Sequence, residues 1–272
     1  MPDMLRLRRK PQSERDSLYG HLAVETGANI MANAEEKLGA YYRAIASTFP
    51  DKVQQTLKMI GEPSLELLAL RRYIQKEKVL DAQWVWSERQ IRDFQKSPEY
   101  GRTKIEIDKV KQTFTRLNGE EYTLASSPIR NLDSQVNLWK GNKKVRAGAK
   151  DVRGKCFREL ANYPDLPDPE ATKQFRAFLK HCSVHPEPTS AAPGLSDHGQ
   201  MHAVDFVILK KGKTIAGTDT STMQLNWDAP GWTDKLKEAV MQSASLFDGP
   251  LRSPREPWHY SLPGAAQRKR SA

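Results

Sequence analysis

The spacing of apolar residues changes near residue 110, and this change requires a fold that contains both helices and a sheet. Over residues 30–45 the apolar side chains recur every three or four positions, the repeat of one helix face: Ile30, Ala34, Leu38, Tyr41 and Ile45. After residue 110 the chain carries short apolar and β-branched runs between turn residues, a pattern typical of strands. Because strands and helices alternate irregularly there, we predict an α+β fold around a small antiparallel sheet.

These patterns divide the chain of 272 residues into three predicted segments. Residues 1–110 form an all-α N-terminal region of short helices, which is broken at Pro50, Gly61 and Pro98. Residues 111–262 form the domain that holds the antiparallel sheet. Residues 263–272 form a basic tail that we expect to be disordered.

Two hairpins and one helix are predicted within the second segment. Asn118-Gly119 supplies the two positive-φ residues of a type I′ turn, so we expect residues 114–117 and 120–124 to pair as strands. A second hairpin is expected from the apolar run 203–209 and residues 214–216. Residues 233–246 have the apolar spacing of an amphipathic helix.

The net charge of +10 is compatible with nucleic acid, with an anionic cell envelope or with a merely soluble surface. Basic residues are spread along the chain and do not interleave with aromatic residues, so we expect no nucleic-acid partner. No apolar stretch approaches the ~20 residues of a membrane span, and no transmembrane segment is predicted. The basic start is not followed by the apolar stretch of a secretory signal. We therefore expect cytosolic synthesis, unless a signal has been removed.

Five of the six histidines lie between residues 181 and 259, and two of them stand near carboxylates. His198 precedes Asp205 by seven residues, and Glu256 precedes His259 by three. A catalytic zinc ion takes three protein ligands of nitrogen and oxygen type and leaves a position for water. We predict His198, Asp205 and His259 as ligands and Glu256 as the general base that takes the proton of the water. Cys156 and Cys182 allow one disulfide or two free thiols and are too few for a four-thiolate site.

The two elements resemble motifs of the D-alanyl-D-alanine carboxypeptidase and dipeptidase family of zinc peptidases. The family motif Ser-x-His-x-x-Gly-x-Ala-x-Asp is matched at four positions, and Glu-x-Trp-His is matched in full: Ser196, His198, Ala203, Asp205, Glu256, Trp258 and His259. Arg130 and Gln135 keep the five-residue separation of an upstream family element. Met201 stands where the family has glycine, and Pro128-Ile129 replaces Gly-Tyr before the arginine.

The resemblance covers roughly residues 112–262 and implies a fold, a cofactor and roles for single residues. The fold is the small α+β sheet shared with the hedgehog signalling domain, and the cofactor is Zn²⁺. Arg130 would hold a substrate carboxylate during catalysis, and Gln135 and Ser196 would help to bind or position substrate. The reaction would be hydrolysis of a D-Ala-D-Ala or related bond in a peptidoglycan stem peptide, in the periplasm or cell wall or after delivery to the wall.

Three alternatives follow from the same residues. The first is a peptidoglycan endopeptidase or endolysin of the same architecture. The second is a binding module with a zinc site but without turnover, and an intact Glu256 argues against it. The third is a basic nucleic-acid binder with a structural zinc, which would need a fourth protein ligand. The sequence leaves the oligomeric state open.

Overall fold

The computed structural model describes residues 32–126 and 130–262. The predicted basic tail, the helical position Ile30 and the Pro128-Ile129 pair of the upstream family element lie outside the described residues. None of the described helices is long and apolar enough to cross a membrane. The fold is α+β, as predicted: many helices surround a small antiparallel sheet of four strands.

Ten α-helices make up just over half of the described residues. The first, α1, runs through residues 32–46. The others, in chain order, are α2 (Asp51–Ile60), α3 (Pro63–Lys76), α4 (Leu80–Gln83), α5 (Glu88–Gln95), α6 (Pro98–Asn118), α7 (Leu132–Gly141), α8 (Lys143–Leu160), α9 (Pro169–His181) and α10 (Trp232–Gln242). The predicted breaks are present: Gly61 ends α2 at φ 65°, and Pro98 begins α6 behind the capping hydroxyl of Ser97.

The sheet is built around one long strand. Strand β2 (Ala203–Lys210) pairs antiparallel with β1 (Tyr122–Ser126), with β3 (Lys213–Ala216) and, through its first three residues, with β4 (His259–Ser261). The predicted hairpin of β2 and β3 is therefore confirmed. Val204, Phe206 and Ile208 alternate along β2 and point into the core, each at most 3% exposed.

The hairpin predicted at Asn118-Gly119 is wrong. Residues 114–117 belong to α6, and β1 pairs instead with β2, more than 80 residues away, in the register Tyr122↔Lys210 to Ser126↔Phe206. The spacing of the buried residues Thr103, Ile107, Val110 and Phe114 is helical, and Gly119 ends the helix at φ 96°. The Asn-Gly pair thus terminates a helix, a use that the local turn rule does not distinguish from a hairpin.

The buried apolar side chains form two cores. In the first, α1–α3 pack with α7–α9 around large side chains such as Tyr73 and Trp139. In the second, α6 and α10 cover the sheet around Phe206 and Trp227. Residue 110, the predicted boundary, lies within α6, and α7–α9 pack with the N-terminal helices even though they follow β1. Cys156 and Cys182 are free thiols within or beside the first core.

Candidate metal centre

The structure brings His198, Asp205 and His259 together. Asp205 lies on β2 and is directly paired with His259 on β4, so the register of the sheet sets these two side chains next to each other. His259 lies between the buried rings of Trp258 and Tyr260, which point the other way into the second core. His198 lies on a single 3₁₀ turn, Asp197–Gln200, just before β2.

The three side chains direct one donor atom each toward a common point. The Oδ1 atom of Asp205 lies 3.0 Å from Nδ1 of His259 and 3.2 Å from Nε2 of His198, and the two nitrogens are 3.3 Å apart. All three residues are buried. In the described part of the chain they form a group whose ligand atoms all lie within 4.8 Å, and such a group could hold a metal ion.

The size of this triangle fits a tetrahedral zinc ion. Zinc–nitrogen and zinc–oxygen bonds of about 2.0–2.1 Å place neighbouring tetrahedral ligands roughly 3.3 Å apart. The measured edges of 3.0–3.3 Å match that value. Two imidazoles and one carboxylate are also a ligand set that catalytic zinc sites use.

Asp205 is held as a carboxylate by its neighbours. Burial opposes its ionisation, but hydrogen bonds from His198 and His259 and the charge of Arg130 outweigh burial, so the pKa of Asp205 lies well below its usual range. Arg130 forms an ion pair through Nη2 with Oδ2, the oxygen of Asp205 that faces away from the two imidazoles. This contact leaves Oδ1 for a metal and fixes the orientation of the carboxylate.

Glu256 lies beside this group without belonging to it. Its Oε2 atom is 3.8 Å from Nδ1 of His259, and its side chain is 18% exposed. Burial, together with the charge of Asp205, raises the pKa of Glu256, although His259 and Arg130 act in the opposite direction. A carboxylate that is close to the ligands and partly desolvated has the placement of a general base.

The other predicted site residues lie around the centre. Gln135 is buried: its Nε2 donates to the carbonyl of Arg130 at 2.9 Å, and its Oε1 accepts from the backbone N–H of Gly194 at 2.9 Å. Its amide therefore ties two backbone segments together, and substrate binding by Gln135 stays a prediction. Ser196 is half-buried at the start of the 3₁₀ turn, where its carbonyl accepts from the N–H of Gly199.

A cleft of about 520 Å³ reaches the centre at His198. One wall is formed by α5 and α6, which contribute both apolar and charged side chains, among them Ile91, Tyr100, Ile107, Arg92, Lys104 and Lys111. Ser126, Asn131 and the start of β2 line the rest. Sequence reasoning missed this wall, because α5 and α6 carry no motif and fall largely within the predicted N-terminal region.

No protein-family model matches the chain, and searches among curated proteins and solved structures find no significant match.

Proposed function

We infer that the protein is a zinc-dependent peptidase. The observation that carries this proposal is the triangle of His198, Asp205 and His259 donor atoms with Glu256 beside it. The residues that converge are those that the motif resemblance selected from the sequence, although they are up to 61 positions apart. Partly exposed Glu256 and the cleft at His198 favour catalysis over a closed structural site.

Each residue has a defined part in the proposed reaction. His198, Asp205 and His259 would hold a zinc ion, which would supply Lewis-acid polarisation of a peptide carbonyl and a water that is nucleophilic near neutral pH. Glu256 takes the proton of the attacking water on its carboxylate and returns it to the leaving amine. Arg130 keeps the Asp205 carboxylate in position.

We propose peptidoglycan stem peptides as the substrate class. The support is the resemblance to D-alanyl-D-alanine peptidases, together with the net charge of +10, which attracts an anionic wall polymer. The lining of the cleft at His198 contains three basic side chains, Arg92, Lys104 and Lys111. It contains two acidic ones, Glu88 and Asp108, so the basic side chains are in excess by one.

A specific contact favours the endopeptidase as a second candidate. A carboxypeptidase of this kind would use Arg130 to hold the terminal carboxylate of its substrate, but the guanidinium is already paired with Asp205. An endopeptidase needs no such clamp, because its substrate continues beyond the scissile bond.

The test is mass spectrometry of purified muropeptides after incubation under three conditions. These are the protein alone, the protein with a chelator, and the chelated protein after zinc has been restored. We expect cleavage that disappears with chelation and returns with zinc. Loss of one alanine would identify a carboxypeptidase, and a cut stem or cross-link would identify an endopeptidase. Intact muropeptides under all three conditions would contradict the proposed function.

A further inference from the structure

The loop that carries His198 is bonded to a segment of the helical region. Residues 82–86, which include the end of α4 and the start of its connection to α5, run alongside residues 194–200. The N–H of Val85 donates to the carbonyl of Gly194 at 2.8 Å, and the N–H of Trp86 donates to the carbonyl of Gly199 at 3.1 Å. These two bonds hold the loop on both sides of His198.

Gln200 adds a side-chain connection to the same segment. Its Nε2 donates to the carbonyl of Ala82 at 3.1 Å and to that of Trp84 at 2.7 Å. Gln200 is 8% exposed, so loss of its amide would remove hydrogen bonds made by a largely buried donor. Gln200 is two residues from His198, on the same 3₁₀ turn.

The packing between segment and loop leaves no room for side chains at two glycines. A Cβ on Gly194 would lie 2.7 Å from the ring of Trp84, and Gly194 also has a φ of 89°. A Cβ on Gly199 would lie 2.6 Å from Val85 and 2.9 Å from the amide of Gln135. The loop thus fits the segment 82–86 closely on either side of the ligand.

We propose that segment 82–86 is a positioning element for the metal centre and that it fixes the position of His198 through Gln200. Asp205 and His259 are held by strand pairing, whereas His198 lies outside the sheet and needs another support. The helical region thereby determines the affinity of the centre for metal. This inference rests on the proposed function, because it assumes that the three residues bind zinc.

The experiment measures zinc affinity in the full chain by competition with a chromophoric chelator. The variants are Gln200→Met, which keeps the length but removes the donor, and Gln200→Asn, whose shorter amide cannot span both carbonyls. Gln174→Met removes an exposed amide that bonds Glu170 and serves as the matched control. Val152→Ala, in the first core, controls for lost stability without a change near the centre.

We expect both Gln200 variants to lose tenfold or more in zinc affinity, the range found for groups that orient metal ligands. The visible spectrum of the Co²⁺-substituted protein should change as well, which a purely structural role would not cause. Gln174→Met and Val152→Ala should bind zinc and Co²⁺ as the wild type does.

Three results would overturn the proposal. Affinity within twofold of wild type in both Gln200 variants, with an unchanged Co²⁺ spectrum, would reject the positioning role and leave the metal centre intact. If Val152→Ala lost as much zinc affinity as the Gln200 variants at the same decrease in Tm, general destabilisation would be the cause of the effect. A wild-type chain that binds no zinc would reject the proposed centre itself.

Discussion

Both terminal nitrogens of Arg255 contact the carboxylate of Asp228, at 2.8 and 2.6 Å, and this paired contact lies next to Glu256. Asp228 ends a short π-helix, Gln224–Asp228, and also accepts a hydrogen bond from Thr233 at the start of α10. The segment that carries the candidate base is thus connected to α10 and the second core by a planar, two-point ion pair. π-Helical turns are frequent at functional sites.

Arg255→Lys tests whether this contact positions the base. Lysine keeps the charge but lacks the fork that matches both carboxylate oxygens. We expect the proposed turnover to fall about tenfold through misplacement of Glu256, while zinc content stays at the wild-type level. Arg146→Lys is the matched control, because Arg146 on α8 makes a similar two-point contact with the carboxylate of Glu62 and does not line the cleft at His198. Unchanged kcat in Arg255→Lys would show that the base is positioned without Arg255.

Removing a ligand tests the centre itself. His198→Ala deletes one of three donor atoms, so we expect the purified protein to lose its stoichiometric zinc, measured by elemental analysis. His185→Ala is the control, because His185 is exposed and lies outside the cluster. Stoichiometric zinc in His198→Ala would contradict the assigned ligand set.

The role of Arg130 can be separated into metal and substrate effects. Arg130 contacts Asp205, so Arg130→Lys should weaken zinc binding. It should also lower kcat by the same factor on peptides with a free C-terminal carboxylate and on their C-terminal amides. A substrate clamp would instead raise KM for the free carboxylate alone. Steady-state kinetics on the two peptides, with zinc held in excess, distinguishes these outcomes.

Glu106 gives the fold a pH-dependent contact that involves none of the candidate metal ligands. Burial opposes its ionisation, but the side chain of Lys109 and the N–H of Leu246, both 2.8 Å away, outweigh burial and lower the pKa of Glu106. A lowered carboxyl pKa in the folded state stabilises the protein above the unfolded-state pKa. This contribution disappears as pH falls through the folded-state value.

Glu106→Gln should therefore reduce the free energy of unfolding at pH 7 by about 1–3 kcal/mol. The difference from wild type should shrink as pH falls below the ordinary glutamate pKa of about 4.3 and on through the lower folded-state pKa of Glu106. Urea unfolding at several pH values measures this, with the exposed Glu238→Gln as the control. A difference that grows toward acid pH would contradict the assigned ionisation.

The candidate ligands could be selected from the sequence because their types and spacing are chemically specific. The sequence did not show why they meet: Asp205 and His259 are partners in a strand pair that joins positions 54 residues apart. Local rules also failed at Asn118-Gly119, since the strand that β1 pairs with comes more than 80 residues later. Long-range pairing decided both cases.

The support of His198 could not be predicted for a different reason. Gln200 bonds backbone carbonyls of Ala82 and Trp84, at separations of 118 and 116 residues. Every residue has a backbone carbonyl, so no sequence pattern marks these acceptors. The wall of the cleft was missed likewise, because α5 and α6 bring ordinary surface residues next to the centre only in the folded chain.

The most direct test of the account compares muropeptide cleavage by the wild type and Glu256→Gln at equal zinc content. Glu256 is outside the ligand group, so the variant should retain zinc, and it should lose about 10²-fold or more in turnover because glutamine cannot take the proton. Cleavage by Glu256→Gln at the wild-type rate, or loss of zinc from this variant, would contradict the assignment of Glu256 as the base.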